Sequence, residues 1–212
     1  MASEIVTPPA HPSLAALPGV MTYDEFLKWD GENQYVEWVE GKVVFMSPIS
    51  LEHADVGVFL LQILASYAEA RDLGKVLHDP FQMKTGPDLP GRAPDILFVK
   101  KEHLGRLQRF YLDGPGDLVV EIISSGSRTV DRGEKFYEYE QGGVPEFWLV
   151  DPQRKQVEFY QRGEDGIFRL VPPGGDGVYH CRTLPGLWLK ADWLWETPLP
   201  SVFSVLREWK LI

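Results

Sequence analysis

Between residues 52 and 73 the apolar side chains Val56, Phe59, Leu60, Ile63, Leu64, Tyr67 and Ala68 recur three and four positions apart, the period of one helix face. The spacing predicts a long amphipathic helix, with Gly74 as its stop. Ahead of it, Thr22 can cap a short helix over residues 23–29, whose first turn carries Asp24 and Glu25 where the helix dipole favours acids. Residues 34–39 and 42–46 read as strands joined by Glu40-Gly41, a hairpin with Glu37 inside its first strand. Further strands are expected over residues 76–84, 95–99 and 118–123, separated by stretches rich in Gly, Pro and Asp. The last two are almost continuously apolar, so both faces of their sheet should be covered. A polar helix over residues 127–142, carrying Phe136, Tyr137 and Tyr139, ends at Gly142-Gly143. Strands over residues 147–150 and 156–161 follow, with the turn Asp151-Pro152 between them. The order is hairpin, helix, three strands, helix and two or more strands, a mixed α/β arrangement.

Composition narrows the class. At 212 residues the chain is closer to one domain than two, with residues 1–20 a flexible tail and 21–212 a single domain. One cysteine, Cys181, permits no internal disulfide and no cysteine-rich zinc site, and points to a reducing compartment. The net charge of −10 argues against a protein that coats nucleic acid electrostatically. Residues 1–20 contain no Lys or Arg, so the basic start of a signal peptide is missing, and no apolar run approaches the roughly 20 residues that span a bilayer. A cytoplasmic protein is expected.

Dinucleotide, P-loop, zincin and serine-hydrolase motifs are absent. The five histidines are scattered, and His53, at the start of the long helix, reads as a capping or surface residue. The informative feature is an acid where an acid is expensive. Glu121 interrupts the apolar run Leu118-Val119-Val120-Glu121-Ile122-Ile123, where an unpaired charge would cost several kcal/mol. Asp95 opens the similar run Pro94-Asp95-Ile96-Leu97-Phe98-Val99, 26 residues earlier. Each acid alone could pair with an arginine or with loop amides. Two carboxylates converging in one sheet point instead to a shared divalent cation, and hard oxygen ligands suit magnesium or manganese. Lys135, on the helix that follows, could reach back to the strand ends or form a solvated pair with Asp131. Glu37 is either an outward-facing strand residue or a fourth member of the site. The run from Lys100 to Arg109 carries a net charge of +3, so Lys100, Lys101, Arg106 and Arg109 are candidate substrate contacts, unless they form a solvated helix. Trp188, Trp193 and Trp195 are expected in the core or in a homodimer contact.

Together, Tyr23-Asp24-Glu25-Phe26-Leu27, Glu37-Trp38-Val39-Glu40-Gly41, the Asp95 and Glu121 runs, Asp131-Arg132-Gly133-Glu134-Lys135 and the stretch from Gly143 to Pro152 resemble the Uma family of restriction-endonuclease-like proteins, within the PD-(D/E)XK nuclease superfamily. The resemblance covers about residues 20 to 160 in the family's order. It implies a restriction-endonuclease-like core, a central mixed β-sheet flanked by helices. It implies Asp95 as the acid of the first half-motif, Glu121 as that of the second, and Glu37 as the N-terminal acid. Ile123 stands where the superfamily has its lysine, which makes Lys135 the stand-in. Ser124-Ser125-Gly126-Ser127 departs from the family's usual Ser-Pro-Ser-Thr. The expectation is a magnesium-dependent endonuclease acting on DNA, with Asp95, Glu121, Glu37 and the main-chain carbonyl of Ile122 on the metal. The rival is a catalytically silent nucleic-acid- or protein-binding module on the same fold.

Overall fold

The computed structural model describes residues 19–29, 36–46, 48–124 and 130–212. Most of the expected tail, the start of the first hairpin strand, and the Ser125-Gly126-Ser127 turn lie outside them. Thr22 caps α1 (Tyr23–Lys28): its hydroxyl accepts the Glu25 N–H at 3.3 Å, and the Glu25 carboxylate accepts the Thr22 N–H at 2.8 Å. β1 (Val36–Val39) and β2 (Lys42–Phe45) form the hairpin, turning through Glu40 at φ 48° and Gly41 at φ 81°. Two successive positive φ values make a turn whose twist matches the strands, which is why a glycine sits there.

The periodic stretch forms α2 (Leu51–Ala70), with Ser50 accepting the His53 N–H at its start. It stops earlier than Gly74, through Asp72 at φ 51°. Gly74 instead opens β3 (Gly74–His78), where a Cβ would sit 2.1 Å from the Val99 carbonyl oxygen. The glycine permits close strand approach and does not end the helix. The single strand expected over residues 76–84 is also two. β3 gives way at Asp79-Pro80 to β4 (Gln82–Lys84), which belongs to a different sheet. Proline lacks the N–H that a ladder needs, so the break was written at Pro80.

Short strands β5 (Gly91–Arg92), β7 (Tyr111–Asp113), β11 (Phe168–Leu170), β12 (Val178–His180) and β13 (Trp188–Lys190) have too little periodicity to be read from sequence. The principal sheet uses β6 (Ile96–Lys100), β8 (Leu118–Ile122), β9 (Glu146–Asp151) and β10 (Gln156–Arg162) in the order β11-β10-β9-β8-β6-β3. The smaller sheet runs β2-β1-β5-β4-β7. β8 and β9 are parallel, so the chain must cross over between them, and α3 (Lys135–Gly142), entered through a wide π-type turn at Val130–Glu134, makes that crossing.

Alternation along β8 sends Leu118, Val120 and Ile122 to the layer containing α2, and Val119 and Ile123 to the layer containing Tyr139 of α3. Both faces of the strand are covered, as its apolar run implied. Each fully buried Leu or Ile in these layers contributes about 1.5–3 kcal/mol of transfer free energy. Trp188 and Trp193 pack with Trp209, which follows α4 (Val202–Glu208), and Trp209 meets Tyr67 of α2 edge-on at 5.3 Å. These tryptophans close the α2 layer within the chain. Among the described residues no helix is long and apolar enough to cross a membrane.

Candidate active site

The antiparallel pairing of β6 with β8 matches Phe98 to Leu118, Leu97 to Val119 and Ile96 to Val120. One further step sets Asp95 opposite Glu121, on the face toward α3. The Ile122 N–H donates to Asp95 Oδ2 at 2.6 Å, so the aspartate is tied to the strand that carries Glu121. Ile123 N–H donates to the Val150 carbonyl in β9 at 2.7 Å. A trans peptide directs the Ile122 carbonyl the opposite way, to the Asp95 side.

Lys135 and Tyr139 lie one turn apart on α3 and are both buried. The Lys135 ammonium donates to Glu121 Oε2 at 2.9 Å and the Tyr139 hydroxyl to Glu121 Oε1 at 2.5 Å. The same ammonium lies 3.4 Å from both Glu37 Oε1 and Asp131 Oδ1. The pair with Asp131 is thus a buried one, and Glu37 faces inward. Arg92 of β5 donates to Glu37 at 2.9 Å and grips Glu138 through two bonds of 2.7 Å, while the Ala93 N–H reaches the other Glu37 oxygen at 3.2 Å.

Carboxylates outnumber cations here, and the electrostatics follow. Burial pushes Glu121 well above the ordinary carboxylate range, against the pull of Lys135. Burial opposes the charge on Lys135, but Glu121, Glu37 and Asp131 outweigh it and hold the ammonium well above its usual range. Burial also acts on Glu37, where Lys135 and Arg92 prevail and lower it. Asp79, on the turn before β4, is raised by burial and by the Asp95 charge.

Asp95, Glu121, Lys135, Glu37 and the Ile122 backbone are therefore gathered at one end of the sheet. His53 is corrected: it is buried, with Nε2 3.2 Å from Asp95 Oδ1, and it is Ser50 that caps the helix. The basic run is placed elsewhere. Lys100 closes β6 at the end away from Asp95, and Lys101–Arg106 forms a 3₁₀ turn. Lys101 pairs with Asp72, and Lys100 and Arg106 lie 3.9 and 3.8 Å from Asp117. Sequence reasoning missed His53, Arg92 and Tyr139 as members of the site. Arg92 had a signal, since it stands three residues before Asp95 in a segment with acids to match.

The family model for Uma2, described as "Putative restriction endonuclease", matches residues 23–192. The chain belongs to the Uma2 family. Among solved structures, this Uma2 protein is similar to the crystal structure of "a putative nuclease belonging to DUF820" from Anabaena variabilis, with TM-score 0.67 and 18% identity over 82% of this chain and 97% of that one. The likeness fixes the fold as nuclease-like. It is also 22% identical over 164 residues to the uncharacterized protein slr1290 of Synechocystis, covering 76% of this chain and 84% of the relative.

Proposed function

We propose that this Uma2 protein is a divalent-metal-dependent endonuclease that hydrolyses DNA phosphodiester bonds. One observation carries the reading: Glu37, Glu121 and Asp131 converge on a single buried ammonium, with Asp95 opposite Glu121 at the same sheet end. Such a surplus of acids is costly to keep charged in an apolar interior, and a visiting cation relieves it, which is the pattern of a functional site.

The donors fit magnesium or manganese in kind, being hard oxygens of net negative charge. Among the described residues no group of three or more His, Cys, Asp or Glu side chains is arranged to hold a metal ion; the acids surround Lys135 instead. Magnesium is ordinarily held by one or two carboxylates, with water and phosphate completing its shell, so Asp95, Glu121 and the Ile122 carbonyl suffice as protein ligands, with Glu37 alongside. A bound ion would supply Lewis-acid stabilisation of the phosphate and a more acidic water. Asp95 and Glu121 hold their places through the Ile122 N–H, Tyr139 and Lys135. Lys135, held charged by its neighbours, orients the attacking water or stabilises negative charge gathering on the phosphoryl oxygens. Lys135 and Arg92 keep Glu37 ionised, and Arg92 aligns it.

The rival reading, a silent binding module, draws on the fact that Lys135 and Tyr139 already occupy both Glu121 oxygens. A magnesium titration paired with plasmid nicking separates the two. The nuclease reading expects metal uptake and nicking by the native protein, with both lost in Asp95→Ala. Equal metal affinity in the two proteins, or no nicking at any metal concentration, sinks it.

A further inference from the structure

The geometry points to His53 as the positioning residue of Asp95: its Nε2 stands at ion-pair distance from the carboxylate oxygen that the backbone does not hold, close enough to donate to it. The inference rests on the nuclease reading and adds a residue to it. Asp95 Oδ2 is fixed by the Ile122 N–H at 2.6 Å, whereas Oδ1 faces His53 Nε2 at 3.2 Å. An aspartate's terminal torsion is broad, so a carboxylate held at one oxygen still rocks. A second donor from another element stops that motion and aims the remaining lone pairs.

Helix capping does not account for His53, because the Ser50 hydroxyl does the capping and takes only the His53 backbone N–H, at 3.2 Å. A surface role fails as well, since the residue is 6% exposed. Its Nδ1 is buried without a hydrogen-bond partner. This decides the tautomer: a proton on Nδ1 would leave a buried N–H unmet and would turn a bare Nε2 lone pair toward a carboxylate oxygen. The proton therefore belongs on Nε2. Asp79 also bears on this imidazole, and it is itself next to His78, Nδ1 to Oδ1 3.6 Å. The helix thus brings to the β6–β8 strand ends a donor from a third element, 42 positions before Asp95 in the chain.

Hydrogen bonds behind a metal ligand commonly govern affinity by 10–100-fold. Calorimetric titration with manganese should show His53→Ala binding about 10–100-fold more weakly than the native protein. His53→Gln, whose amide N–H can reach the Nε2 position, should recover most of that loss, and a purely space-filling role would not predict the recovery. Native-like affinity in His53→Ala, or equal loss in His53→Gln, overturns the inference. So does a manganese spin-echo spectrum showing directly coordinated imidazole nitrogen, which would make His53 a ligand. The nuclease reading fails separately, if the native protein and Asp95→Ala take up manganese alike. His53 is then still decided without metal, by ¹⁵N spectra of its ring. A ring protonated at Nε2, whose signal moves in Asp95→Ala, supports the inference, and one whose Nε2 carries no proton overturns it.

Discussion

Glu121 and Glu146 are both buried in the principal sheet, on neighbouring strands, and meet opposite fates. Glu146 opens β9 after Pro145, as Asp95 opens its apolar run after Pro94. Its Oε1 accepts from Trp148 Nε1 at 2.8 Å and the Tyr179 hydroxyl at 2.6 Å. Its Oε2 accepts the Arg182 and Thr183 N–H groups at 2.9 and 2.8 Å and the Thr183 hydroxyl at 3.0 Å. These donors are neutral, and they use up the carboxylate. Glu146 is a rivet that pins the chain after β12 onto the sheet. Around Glu121, by contrast, three acids crowd the Lys135 ammonium, with Arg92 on Glu37 and the Tyr139 hydroxyl on Glu121 beside it. A buried acid in an apolar strand thus marks an energetic problem, and only the way it is solved separates scaffold from chemistry: neutral donors close a site, while a carboxylate surplus leaves it asking for cations.

Removing the rivet should give the largest change in stability. Glu146→Ala strands six buried or half-buried donors at once, the Cys181 thiol among them, and should lower unfolding free energy by about 3–5 kcal/mol in urea denaturation. Nicking per folded molecule should survive at low temperature. A loss below about 1 kcal/mol would mean water replaces the carboxylate readily, and the contrast with Glu121 would collapse.

Lys135→Met tests the other side. It leaves Glu37, Glu121 and Asp131 facing one another without their shared cation and should destabilise the metal-free protein by about 2 kcal/mol, less than a lone buried ion would, because one acid can take up a proton. Nicking should be abolished, while magnesium should restore part of the stability by binding only the folded form. Unchanged melting with saturating magnesium would break the link between acid surplus and metal. Glu121→Gln removes one of the crowded charges and keeps the shape, so the metal-free melting point should hold or rise by an amount equivalent to about 1 kcal/mol or less, as at functional sites that trade stability for activity. A Glu121→Gln protein as damaged as Glu146→Ala would show that both acids are rivets.

Legibility in the sequence follows the same division. The period of α2 and the apolar runs of β6, β8 and β9 were readable because burial imposes them residue by residue. Asp95, Glu121, Glu37 and Lys135 stood out as charges in places hostile to charge, or through the family's motif order. Glu146 carried the same signal and went unread as a rivet, because apart from Trp148 its donors come from residues 179–183, brought in by a small strand pair with little periodicity. His53 and Tyr139 reach Asp95 and Glu121 across 42 and 18 positions. Nothing local distinguishes a histidine in a helix's first turn that caps from one that reaches across to a strand. The strand break at Asp79-Pro80 and the stop before Gly74 were local and were misjudged: a proline and a glycine each had two physical uses, and the sheet chose between them.

The smallest effect is expected from the basic run, where sequence and structure weigh charge differently. Its nominal +3 suggests a grip on phosphates, yet Asp72 takes Lys101, and the buried Asp117 accepts the Lys100 N–H at 2.8 Å and lies 2.9 Å from His103 Nδ1 and 3.8 Å from Arg106. The run also lies about 17 Å along the strand from Asp95, five residues at roughly 3.3 Å each. Charges already matched by acids release few counterions when DNA arrives. Lys100→Ala with Lys101→Ala should therefore weaken DNA binding by no more than about threefold and lower the salt slope by less than the roughly 1.8 that two full phosphate contacts would give. Turnover at saturating DNA should not change. Fluorescence anisotropy across a salt series measures both quantities. A tenfold loss with a slope change near 1.8 would show that this surface holds DNA after all, and that Asp72 and Asp117 give up their partners when it does.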